Sequence, residues 1–114
     1  MKFSEFKTGP ARSVFAGLGN DWAAILGEAY SFEELRREVI THNDRDVGRF
    51  VAAVRRYAGK CSSGEFRLLL AVCALTDFGH VADELVGGRA WQDITRGCDL
   101  RFRAAIAACV EAAP

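Results

Sequence analysis

One segment constrains the fold more than any other. Leu68 to Leu75 is the longest unbroken apolar run of the chain, and Phe66 and Arg67 lead into it. It is far too short for the roughly 20 apolar residues that span a bilayer. Arg67 and Asp77 bracket it closely, and Ser62-Ser-Gly-Glu65 ahead of it reads as a capping box that starts a helix. A helix that is apolar almost all round must be surrounded by other helices. The segment 66–76 is therefore expected at the centre of an all-α protein.

The flanking sequence supplies the partners that such a helix needs. Trp22, Ile25, Leu26, Ala29 and Tyr30 follow i, i+3, i+4, i+7, i+8, with Asn20 or Asp21 as the N-cap candidate. Ser31-Phe-Glu-Glu34 is a second capping box and opens a stripe of Phe32, Leu35, Val39 and Ile40. Thr41-His-Asn-Asp44 is polar and cap-rich, which predicts a break. A helix over 45–60 follows, with Val47, Phe50, Val51, Val54, Tyr57 and Ala58 on one face and Gly59 as its C-cap.

Shorter elements fill the rest of the chain. Pro10 suits a first helical turn, with Val14, Phe15 and Leu18 behind it. Val81 and Leu85 form a brief stripe that Gly87-Gly88 ends, and Trp91 and Ile94 mark another, closed near Gly97. Asp99 is placed to cap a last helix whose inner face is Phe102, Ala105, Ile106, Cys109 and Val110. The expectation is a compact single-domain bundle over residues 1–114, with about six or seven short helices around the central one.

Composition bounds the function. A chain of 114 residues that is 50% hydrophobic can build one core of its own. Cys61, Cys73, Cys98 and Cys109 include no Cys-x-x-Cys pair, and no apolar stretch follows the charged start, so no secretory signal is read there. A cytoplasmic protein with reduced thiols and no membrane partner is expected. Fifteen basic residues against fifteen acidic ones exclude a globally basic polyanion binder.

Resolved along the chain, that neutrality disappears. From Thr41 to Arg67, six basic residues against three acidic ones give +3, and from Leu68 to Leu100, two against five give −3. Arg45, Arg49, Arg56 and Lys60 recur at helical spacing, and with Arg55 and Arg67 they form a candidate docking surface for phosphates or an acidic protein. The structural alternative is a solvated face whose charges pair with neighbours such as Asp46. Asp77, Asp83 and Glu84 form the candidate acidic patch.

Catalytic patterns fare less well. Asp77-x-x-His80-x-x-Asp83-Glu84 resembles half of a carboxylate–histidine metal site, but no second Glu-x-x-His completes it. His42 or His80 could face Cys61 on paper, yet nothing in the sequence holds such a pair together. Walker A, Rossmann, zincin and nucleophile-elbow patterns are absent from the sequence. Arg101 and Arg103 oppose the dipole of the last helix, a mild mismatch that Asp93 and Asp99 can neutralise.

The expected function is a small non-catalytic protein-binding module, with no cofactor and no metal. It would be an adaptor or inhibitor acting on a larger protein or nucleoprotein complex through charged patches. A bacterial or phage-type inhibitor of a host nucleoprotein complex is the narrower form of this reading. The rival is nucleic-acid binding through the basic stripe of the 45–60 helix, and a homodimer stays open.

Overall fold

The computed structural model describes residues 1–89, Gln92 and 100–114, and every regular element in them is an α-helix. In chain order they are α1 (Phe3–Thr8), α2 (Pro10–Leu18), α3 (Asn20–Glu28), α4 (Phe32–Arg45), α5 (Arg49–Ala58), α6 (Ser63–Leu75), α7 (Gly79–Leu85) and α8 (Leu100–Ala112). Among the described residues the count is eight, because the N-terminal segment divides at Gly9. That residue ends α1 and starts α2, with Pro10 in the first turn, where its missing N–H costs nothing. The Trp91/Ile94 stripe, Gly97, Cys98 and the Asp99 cap lie outside the described residues.

α6 is the centre, as its composition requires. Leu68 to Cys73 and Leu75 are all buried, on every side of the helix. Each large apolar side chain so enclosed contributes on the order of 1.5–3 kcal/mol relative to exposure. α8 packs along α6 most extensively, with α7, α2 and α5 around the remainder. The α8 face turned inward is Ala105, Ile106, Ala108 and Cys109, with Phe102 and Val110 half-buried. A radius of gyration of 12.4 Å fits one closed body of this length.

Both ends of α6 are written locally. Ser62 Oγ accepts from the Glu65 N–H at 3.2 Å, and the Ser62 N–H donates to Glu65 Oε1 at 3.0 Å, completing the expected capping box. At the other end Phe78 N–H reaches Cys73 O at 2.7 Å and Asp77 N–H reaches Ala74 O at 3.3 Å. This is a Schellman closure, and it places Asp77 in the left-handed region at φ 68°.

Cations finish several other helices. Lys7 Nζ donates to Gly27 O at 2.7 Å and Ala29 O at 2.8 Å, at the end of α3. Arg56 Nη2 donates to Leu18 O at 2.7 Å, the last residue of α2. Arg36 donates through Nε to Leu75 O at 2.9 Å and through Nη2 to Ala112 O, tying α4 to the ends of α6 and α8. Carbonyls left over at helix C-termini accept such donors well, and positive charge there complements the negative end of the dipole.

Four boundaries differ from the sequence expectation, each for a physical reason. Thr41 to Asp44 stay helical, and the break falls at Asp46–Gly48, where Gly48 supplies φ 85°. Asn43 is buried and its Oδ1 accepts from Phe50 N–H at 2.9 Å, so the cap-rich cluster caps the next helix across the turn. Val47 therefore sits in the turn, 88% exposed, instead of on the α5 core face. α3 is preceded by Gly19, not capped by Asn20 or Asp21, and it stops at Glu28, which leaves Tyr30 86% exposed. Ser31 does cap α4, accepting from Glu34 N–H at 3.1 Å. Among the described residues, no helix is long and apolar enough to cross a membrane.

Candidate functional site

The basic residues singled out from sequence do not share one helix. Arg45 is the last residue of α4, and Lys60 lies beyond the end of α5 at Gly59. Arg49, Arg55 and Arg56 are on α5, and Arg67 is on α6, where its Nη1 donates to Ser63 O at 3.3 Å. Within α5 only Arg49 and Arg56, seven residues apart, stand on a common face. Arg55 points elsewhere, to Glu84 Oε2 on α7 at 2.8 Å.

The acidic patch is similarly divided. Asp77, Asp83 and Glu84 are exposed, but Asp77 is in the turn after α6 while Asp83 and Glu84 are on α7. With Asp77 outside the helix, the Asp77–His80–Glu84 face imagined for a metal does not form. Among the described residues no group of three or more His, Cys, Asp or Glu side chains could hold a metal ion.

Arg49 and Arg56 meet the start of α3 in an open cleft of about 420 Å³. Its walls are Leu18 to Trp22 on one side and Arg49, Ala52, Ala53 and Arg56 on the other. The small Ala52 and Ala53 leave room between the two guanidinium groups. Gly19 offers no side chain to the first turn of α3, so that turn begins without a side-chain cap. Positive character thus converges from two arginines and from the start of a helix.

One carboxylate stands in the cleft. Asp21 Oδ2 is 2.6 Å from Arg49 Nη2, while Arg49 Nη1 is 3.4 Å from Asp46 Oδ2. His42 lies behind this pair, its ring edge-on to Trp22 with centroids 4.9 Å apart. Its Nε2 is 3.8 Å from Asp21 Oδ2, shielded from solvent and without a hydrogen-bond partner. Sequence reasoning missed Asp21 as a member of this site, since 28 residues separate it from Arg49 and no local pattern joins them.

The three described thiols, Cys61, Cys73 and Cys109, are held in their poorly nucleophilic form. Burial pushes Cys73 up to about 12 and raises Cys109 further, both on the α6–α8 seam. Burial also raises Cys61, which is half-buried and donates weakly to Ala58 O at 3.9 Å. A thiol held protonated is the unreactive form. His42 packs on Trp22, and His80 is exposed on α7.

Compared with known proteins, the chain matches no family model, no curated protein and no solved structure. The geometry of the cleft is accordingly the basis for the functional reading.

Proposed function

We propose that the protein is a non-catalytic binding module, an adaptor or inhibitor working in the cytoplasm, that docks an acidic surface of a larger protein or nucleoprotein complex. The observation that carries this reading is the convergence of Arg49 and Arg56 with the uncapped first turn of α3 in one open cleft. Guanidinium groups recognise carboxylates in a planar, two-pronged geometry, which suits a side chain entering a cleft. Arg45 and Lys60 lie just beyond the two ends of α5 and are exposed, where they add positive field around the site.

Protein is favoured over nucleic acid by the mixed charge of this surface. Asp21 and Asp46 are interleaved with the arginines, and a phosphate backbone passing over them would meet repulsion at each. Arg55 is turned to Glu84 on α7, and Arg67 belongs to α6, so α5 by itself does not assemble a continuous cationic track. Binding that depends on neutralising many phosphates needs such a track.

Fluorescence anisotropy tests the reading directly. Labelled glutamate-rich peptide, single-stranded DNA and duplex DNA are titrated at low and moderate salt. The peptide should bind, and Arg45→Glu/Lys60→Glu should weaken it about three- to tenfold, in keeping with exposed charges worth up to about 1 kcal/mol each. Neither side chain makes a described contact that folding depends on. DNA binding with a steep salt slope and no peptide binding would transfer the site to nucleic acid.

A further inference from the structure

We infer that Asp21 is a resident competitor in the cleft, and that the partner residue seated there is a carboxylate which takes Arg49 over from it. This rests on the docking reading above and names the group that docks. The internal ion pair shows what the site accepts. A carboxylate oxygen already occupies the position 2.6 Å from Arg49 Nη2, with the shielded and unpartnered His42 Nε2 3.8 Å from the same oxygen. The contact joins α3 to α5 through side chains alone, so it can exchange without moving either helix.

The strength of the pair suits exchange. Asp21 and Arg49 side chains are 46% and 50% exposed, and half-exposed pairs of this kind shift an equilibrium by about two- to fivefold. An incoming carboxylate therefore displaces Asp21 at little cost in binding free energy. It finds Arg49 pre-positioned by Asp21 and Asp46, and Arg56 seven residues along the same helix face. Asp21 also repels acidic ligands that lack the reach to displace it. In effect, the free protein holds a place-holder for its partner's acidic residue, and removing that place-holder should tighten binding.

The test compares the full-length wild type with Asp21→Asn, and with Asp21→Ser as a second variant that suits a helix start. The probe is an acetylated, amidated hexaglutamate peptide at low salt, and thermal unfolding confirms that each variant folds. Asp21→Asn and Asp21→Ser should bind the peptide about two- to fivefold more tightly than the wild type. The gain should vanish in an Arg49→Gln background, because the competition is for that guanidinium. Equal or weaker binding by both variants, or an undiminished gain without Arg49, overturns the inference while wild-type peptide binding leaves the docking reading standing. If wild type and variants alike fail to bind, the docking reading falls, and this inference with it.

Discussion

Glu65 shows how one side chain can be legible in sequence and still carry a consequence that only the fold reveals. Its pairing with Ser62 is a contact across three residues, so a capping box could be read from the letters. The Ser62 N–H, with its hydroxyl second, lowers the Glu65 carboxyl from its ordinary value of 4.5. The folded value is thus below the unfolded one, so ionised Glu65 stabilises the fold above the ordinary range. That contribution is lost as pH falls through the lower, folded value. Glu65→Gln should therefore be less stable than the wild type at neutral pH, with the gap narrowing below about pH 4.5. Urea unfolding between pH 7 and 3 checks this, and a gap independent of pH would contradict it. The Asp21–Arg49 pair is the opposite case: it joins residues on two helices, and neither neighbourhood announces the other.

Helices were visible wherever their apolar stripe was complete, and their ends were visible only where the cap was local. α6 satisfied both conditions, with Ser62 and Glu65 at one end and enclosed leucines along its length. The α4–α5 junction satisfied neither. Asn43 caps across a turn, and helix α4 continues through residues whose propensities suggest a break. Close approach between helices was also hidden, and Gly17 is the instructive example. A Cβ built there would lie 2.0 Å from the Tyr57 ring of α5, so hydrogen is the only substituent that lets α2 and α5 meet as they do. Alanine at an exposed helix position would gain up to about 1 kcal/mol over glycine. Here the ring is buried, and overpacking costs about 1–3 kcal/mol. Gly17→Ala should therefore destabilise the protein, lowering its melting temperature by several degrees in calorimetry. An unchanged or raised melting temperature would show that the α2–α5 approach is looser than described.

For the whole molecule, the charge pattern that first suggested two poles resolves into three uses. Some charges are spent on the fold: Arg36 and Lys7 hold helix ends, and Arg56 holds the end of α2 while also lining the cleft. Some neutralise one another, and Arg55 with Glu84 joins the +3 segment directly to the −3 segment at 2.8 Å. Others are gathered around the α3–α5 cleft, where Arg49 and Arg56 face Asp21 and the start of α3. Segment totals could not distinguish these uses, because each depends on which helix a side chain meets. The central claim is that the cleft, not a charged face at large, receives the partner. Chemical-shift mapping of the ¹⁵N-labelled full chain with the glutamate-rich peptide tests it most directly. Perturbations should concentrate at Asn20 to Trp22 and at Arg49 to Arg56, with α1 and the exposed face of α8 unmoved. Shifts centred on α1, on α7, or spread evenly over every basic residue would contradict the account.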